Sequence, residues 1–214
     1  MIGVAIPASL DFPHGARDLT ACSPLALRKR MREPSEIKSV VLHQTAFQRR
    51  ADNPRWRLVA AHAVVLRTGE ILLLHPFTAR LTRAANNANP TCVSIELEGN
   101  LRSASGRWWM PDKFGRTAAP TAEQVQASLA LGRYLVREFP SIEHVQAHRQ
   151  WSRMRTNCPG PQIWSSVAEP LKRELGLTEG PTGNGWCHED GAPIPDTWRA
   201  FNPAVEQPAT QLVA

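Results

Sequence analysis

Five consecutive residues, Asn157-Cys158-Pro159-Gly160-Pro161, do most to limit how this chain folds. Two prolines around a glycine can continue neither a helix nor a sheet ladder, so Cys158 is fixed on a turn. The turn closes a polar, Arg-rich stretch, HRQWSRMRTNCPGP, that opens at His148. Far upstream, Ser39-Val40-Val41-Leu42 has the length and β-branched content of a buried strand, and His43 follows it at the strand mouth, ahead of Gln44-Thr45. His43, His148 and Cys158 together offer two imidazoles and a thiolate. Those are donor types zinc accepts, and three protein donors leave the fourth tetrahedral position free for water, the pattern of a catalytic rather than a structural site.

The remaining pattern supplies a scaffold. Ala61 to Arg67 and Glu70 to His75 are apolar runs separated by Thr68-Gly69 and predict a β-hairpin. His62 and His75, inside those runs, read as packed or hydrogen-bonded side chains rather than ligands. Ahead of the hairpin, Gln48 to Arg57 with Pro54 forms a polar loop that would line substrate if it neighbours a metal. Thr78 to Pro90 is turn chemistry leading into a strand at Cys92 to Leu97. That strand carries Glu96 between Ile95 and Leu97, and a carboxylate buried there is costly unless paired or functional. Alternation puts Ser94, Glu96 and Glu98 on one face, which is either the solvent face of an edge strand or a working face. Trp108 and Trp109, within the Gly- and Pro-bearing segment 100–120, form either a sugar-stacking wall or the cover of a small apolar cluster.

Thr121 and Gln124 make a capping box, and Val125, Leu129, Gly132, Leu135, Val136 and Phe139 recur at helical spacing, so the pattern predicts an amphipathic helix over 122–138. Pro140 ends it. Glu143 to Ala147 then gives a short strand delivering His148, with His144 read as structural. Ile163, Trp164, Val167, Leu171 and Leu175 mark a second helix starting at Pro161. Residues 1–36 read as an extension with a short helix around Leu25 to Met31, and the Gly- and Pro-rich 176–214 as a wrapping tail.

The segments VVLHQTA at 40–46, LRTGEI at 66–71, CVSIELEGN at 92–100, the helix from Thr121, and AHRQW…TNCPGP at 147–161 occur in an order that resembles the zinc-dependent N-acetylmuramoyl-L-alanine amidases. That superfamily includes muropeptide-recycling amidases, phage endolysins and peptidoglycan recognition proteins. The resemblance implies an α/β fold in which helices flank a central mixed β-sheet, as a single catalytic domain over 37–175 with extensions at 1–36 and 176–214. It implies one zinc ion on His43, His148 and Cys158, with Glu96 assisting water as general base and Glu98 structural. The oxyanion-stabilising position, two residues before the third ligand, falls on Thr156, and Arg153 or Arg155 could share that role. Ala61 stands where active animal members carry a tyrosine, and the usual Trp-His pair is absent around Thr82-Arg83. The expected activity is cleavage of the bond between N-acetylmuramic acid and L-alanine, of endolysin type. The alternatives are recycling of soluble muropeptides and peptidoglycan binding without catalysis.

Composition narrows the partners. A net charge of +6 suits an anionic one, but the cations are scattered and no nucleic-acid recognition signature accompanies them; a wall with anionic polymers or an acidic muropeptide fits equally well, and any single arginine reads as solvated basic surface, so peptidoglycan or a muropeptide is the partner the resemblance implies. No apolar run approaches the roughly 20 residues needed to cross a bilayer, and the N-terminus lacks a basic region followed by a long apolar core. The expectation is a monomer made in the cytoplasm without membrane insertion, reaching the periplasm or wall only if another system releases it. Cys22, Cys92, Cys158 and Cys187 form no CxxC pair, so no disulfide framework is indicated. Cys92 reads as a small buried hydrophobe, and a Cys22–Cys187 bridge is disfavoured by the missing export signal.

Overall fold

The structure is a computed structural model that describes residues 12–103, 105–185 and 190–202. Its strands are β1 (Ala16–Asp18), β2 (Arg28–Met31), β3 (Ser39–Gln44), β4 (Ala63–Val65), β5 (Ile71–Leu73), β6 (Ala79–Leu81), β7 (Cys92–Leu97) and β8 (His144–Ala147). Six of them form one sheet in the order β1-β5-β4-β7-β3-β8, and β2 pairs separately with β6. β3 runs parallel to β7 and β8, β4 parallel to β7, and the β4–β5 hairpin is antiparallel, so the sheet is mixed, as expected. Both neighbours of β7 are hydrogen-bonded to it, which excludes the edge-strand reading of Glu96 and Glu98.

Alternation divides the sheet into two chemistries. Val40, Leu42, Val93, Ile95, Leu97 and Val145 point to one face, where they meet Leu131, Leu135, Ile163, Trp164 and Leu171 in the main core. At about 1.5–3 kcal/mol for each large apolar side chain removed from water, this face carries most of the fold's stability. Val41, His43, Ser94 and Glu96 necessarily occupy the opposite face.

Helix α1 (Pro111–Phe114) is a single turn, and α2 (Ala122–Glu138) spans the predicted range. Thr121 Oγ1 accepts the Gln124 N–H at 3.1 Å, but the capping box is only half formed. Gln124, fully buried, instead donates to the carbonyls of Val65 (2.8 Å) and Glu98 (3.0 Å), tying the helix start to the sheet. The buried stripe is also rotated from the predicted one. Ala127, Leu131, Gly132 and Leu135 are its centre, while Val125, Leu129 and Val136 are only partly buried. Gly132 fixes that rotation, because a Cβ there would meet Leu171 Cδ1 at 2.7 Å.

The second predicted helix is not continuous. It is α3 (Pro161–Ile163), a π-helical segment at Trp164–Ala168, and α4 (Glu169–Leu175). Pro170 has no N–H to donate and its ring crowds the preceding turn, and a widened turn relieves both problems. The helix expected around Leu25 to Met31 is likewise corrected to one 3-10 turn, Leu25–Leu27, followed by β2. Arg28-Lys29-Arg30 has no apolar helical face to bury, and pairing with β6 satisfies its backbone instead. β1 extends the main sheet through β5.

In the tail, Leu177, Ile194 and Trp198 bury against the main core, the last from α5 (Asp196–Arg199). Cys92 is fully buried, as expected, whereas Cys187 lies outside the described residues, so the possible Cys22 pairing does too. Among the described residues no helix is long and apolar enough to cross a membrane.

Candidate metal centre and cleft

Sheet register brings the site together. His43 on β3 stands directly opposite Glu96 on β7, and Leu42 opposite Ala147, so His148 emerges one residue beyond β8 at the same end of the sheet. Parallel neighbours that end level deliver their next residues to one crevice. Cys158 arrives from outside the sheet and is held there by Gln44. The Gln44 amide donates to the carbonyls of Asn157 (2.9 Å) and Pro159 (3.0 Å), and its Oε1 accepts the Leu101 N–H at 2.7 Å. The Arg149 N–H also donates to the Cys158 carbonyl at 3.1 Å. Gly160 has φ +97°, and a Cβ there would lie 3.3 Å from Gln162 Oε1 and 3.4 Å from Gln44 Nε2, so both the turn and its clamp favour glycine.

The three predicted ligands do converge. His43 Nδ1 and His148 Nδ1 are 2.9 Å apart, Cys158 Sγ is 3.9 Å from His43 Nδ1, and one donor atom from each residue lies within 4.8 Å of the others. Tetrahedral bonds of about 2.0–2.3 Å would set such donors roughly 3.3–3.7 Å apart, so only small adjustments separate this set from a metal-holding geometry. Protonation favours a cation as well. Burial, helped by His148 and by Arg155, holds the His43 imidazole far below its ordinary pKa, and burial with Arg155 brings His148 down to about 3. Both rings are therefore neutral at pH 7. Burial, with Glu96 nearby, pushes the Cys158 thiol well up, so the thiolate needs a neighbouring positive charge. These residues fit a metal ion.

Glu96, Cys158 and His148 line a cleft of about 200 Å³, together with Trp109, Met110, Arg83 and Arg155. Glu96 Oε2 is enclosed and has no hydrogen-bond partner among the described residues. Burial raises the Glu96 pKa to about 8, against the opposing charge of Arg155. Glu98 behaves differently: its two oxygens accept the backbone N–H groups of Arg49 (2.8 Å) and Arg67 (2.9 Å). Thr156 is exposed next to the cleft, where its carbonyl accepts from Arg149 at 2.7 Å, while Arg155 is the residue of that stretch that lines the cleft.

The tryptophan pair splits its roles. Trp108 donates from its indole to the Thr117 carbonyl at 3.1 Å and holds the loop, while Trp109 lines the cleft with Arg155 stacked 5.4 Å above its ring. Buried Asn100 sets that placement by accepting the Trp109 N–H at 3.0 Å. Sequence reasoning passed over Asn86, whose amide lies 3.3 Å from His148 Nε2 and donates to the Trp151 carbonyl at 3.1 Å. Its only signal was a run of turn-forming asparagines. As expected, His62 and His75 are structural: His62 Nδ1 accepts the Ser94 N–H and its Nε2 lies 2.7 Å from the Ala79 carbonyl, while His75 Nδ1 accepts from Arg28.

Comparison with known proteins follows the same lines. The sequence model of the N-acetylmuramoyl-L-alanine amidase family matches residues 33–161. No curated protein sequence matches the chain. Among solved structures, the fold is similar to the endolysin N-acetylmuramoyl-L-alanine amidase LysCS from Clostridium intestinale, at TM-score 0.53 and 18% identity, covering 76% of this chain and 96% of that one. It is similar also to Drosophila peptidoglycan recognition protein SD, at TM-score 0.54 and 17% identity, covering 78% and 99%. Drosophila PGRP-LB gives TM-score 0.52 and 17% identity, covering 77% and 97%.

Proposed function

Because the chain belongs to the N-acetylmuramoyl-L-alanine amidase family, we propose that it hydrolyses the amide between N-acetylmuramic acid and L-alanine in peptidoglycan, using one zinc ion held by His43, His148 and Cys158. The observation that carries this reading is the convergence of those three donors beside a partnerless carboxylate. Bound there, zinc supplies Lewis acidity toward the scissile carbonyl and toward water.

The protein's own groups do the rest. Glu96, in its ionised form, takes the proton of the attacking water and hands it to the departing nitrogen. Its enclosed carboxyl, beside the three donors and with one oxygen left without a partner, is placed both to accept that proton and to release it. Arg155, a cation at the exposed rim of the cleft, meets the negative charge that develops on the carbonyl oxygen. Thr156, one residue on, is the alternative donor, and comparing Arg155→Ala with Thr156→Ala separates the two. Trp109 offers a flat amphipathic face for the sugar. Gln44 and Asn86 keep the ligand-bearing turns in register.

Within this reaction we favour wall cleavage of endolysin type over recycling of soluble muropeptides. Arg83, Met110 and Arg155 are exposed along the cleft rim, which suits a polymer lying across it. Retention of the full donor set argues against a role in binding alone. The test is release of new alanine amine from intact sacculi and from muramyl dipeptide by zinc-loaded protein. Metal-dependent release with sacculi preferred is expected. Release from the soluble substrate alone would turn the reading to recycling, and no amine from either would end it.

A further inference from the structure

His148 and Cys158, two of the three donors, stand at the ends of one loop whose only regular structure is a pair of 3-10 turns, His148–Trp151 and Arg153–Arg155. Such turns bond poorly and hold their shape only with outside support. Arg149 spans the loop. Its N–H donates to the Cys158 carbonyl at 3.1 Å, and its Nη1 donates to the Thr156 carbonyl at 2.7 Å, so the residue after one ligand is bonded to the turn that carries the other. Its guanidinium carbon lies 4.7 Å from the ring centroid of Trp198, an attractive stacking on an indole that α5 buries in the main core.

The tail grips the same loop along its backbone. The Ala192 N–H donates to the Arg149 carbonyl and the Gly183 N–H to the Gln150 carbonyl, both at 2.8 Å, and the Gln150 amide donates to the Glu179 carbonyl at 2.9 Å. The approach leaves no room for side chains: a Cβ on Gly191 would lie 1.8 Å from the Gln150 carbonyl oxygen, and one on Gly183 would lie 2.0 Å from Trp151 Cζ3. Glu179 pins the tail in turn, to Lys172 of α4 at 2.8 Å and to Arg199 of α5 at 2.6 Å. We propose that Arg149 is a positioning residue for the metal centre, and that the tail segments 176–185 and 190–202, holding the loop through Trp198 and Gly191, set how tightly the three donors bind zinc. Donors already held at their spacing need no ordering when the ion arrives, so a loosened loop binds it less tightly. The proposal rests on the metal reading of His43, His148 and Cys158, and not on which amide is cut.

The test measures zinc affinity by competition with a chromophoric chelator, together with the visible absorption of cobalt(II)-loaded protein, which reports ligand geometry. Arg149→Met keeps an apolar stem on Trp198 and removes the guanidinium donors; it should weaken zinc binding about 10–100-fold and shift the cobalt bands. Arg149→Lys, which keeps a cationic donor for the single Thr156 carbonyl, should recover most of the lost affinity. Gly191→Ala, which forces the tail away from Gln150, should weaken zinc to a similar degree, and combining it with Arg149→Met should add little because both loosen one clamp. Metal-free melting temperatures separate positioning from stability. Variants that melt lower yet bind zinc as the wild type does, with unshifted cobalt bands, would overturn the proposal, and so would Arg149→Lys behaving like Arg149→Met. None of these readouts needs hydrolysis, so they decide the matter whether or not the amide is cut. A wild-type chain that takes up no zinc would end the metal reading and this inference together, whereas tight wild-type binding that the variants leave unchanged would end this inference alone.

Discussion

Two buried polar clusters occupy the same face of the sheet and behave in opposite ways. Around Arg32, 4% exposed, the guanidinium donates to the carbonyls of Phe77 (2.8 Å), Ala79 (2.9 Å) and Cys92 (2.8 Å), and His62 has both ring nitrogens engaged. At His43, His148 and Cys158 the donor atoms face one another, and Glu96 keeps an oxygen without a partner. Burial alone does not distinguish them: it pushes the pKa of His62 down to about 3, as it does His148. What differs is unspent bonding capacity. The first cluster is saturated by the protein and holds the N-terminal segment to the sheet, and the second is left for something the protein does not supply.

Substitutions should therefore trade stability against activity in opposite directions. Cys158→Ala or His43→Ala is expected to abolish zinc binding and lower amide hydrolysis at least about 10³-fold while changing metal-free stability little, as read by metal analysis, turnover and denaturant melts. Arg32→Leu should do the reverse, costing at least about 3 kcal/mol because several buried carbonyls lose their donor. A stable Arg32→Leu protein would erase the contrast.

The two glutamates sharpen it at closer range. Glu96→Gln should lower kcat about 10²–10⁴-fold with zinc still bound. Glu98→Gln, which weakens acceptors for two backbone N–H groups, should show itself mainly as about 1–3 kcal/mol of lost stability. If both variants lost activity alike at unchanged stability, the division between them would be wrong.

Protons give a smaller but cleaner reading. At pH 7 the Cys158 thiol and most of Glu96 are protonated in the metal-free protein, while the two imidazoles are neutral. Zinc binding should then release between about one and two protons, measured by calorimetry in buffers of different ionisation enthalpy, and Glu96→Gln should remove up to one of them. The smallest effect is on stability without metal. A carboxyl raised from 4.5 to about 8 binds more protons folded than unfolded, so its contribution falls as pH rises between those values. Glu96→Gln should flatten that decline in melting temperature.

Much of this was legible in the residues, and the parts that were not share a cause. β3, the β4–β5 hairpin, β7 and α2 announce themselves through apolar periodicity, and the three donors through residue type and the Cys-Pro-Gly-Pro turn. β1 and β2 carry Arg, Lys and Asp, and only pairing with distant strands makes them strands, which no local pattern records. The same holds for Gln124, whose amide reaches a strand rather than its own helix start, and for the widened turn before Pro170. In the site, Asn86 and Gln44 act through contacts 60 or more residues away in sequence, so composition could not single them out. Glu96 was distinguishable from Glu98 only through the resemblance, because alternation gives both the same face.

The most direct test of the central claim is an anomalous-difference map of zinc-loaded crystals measured at the zinc absorption edge. One peak per chain is predicted, about 2.0–2.3 Å from His43 Nδ1, His148 Nδ1 and Cys158 Sγ, with its remaining position open toward Glu96. A map with no peak there, or a peak closed off by a fourth protein side chain, would contradict the account.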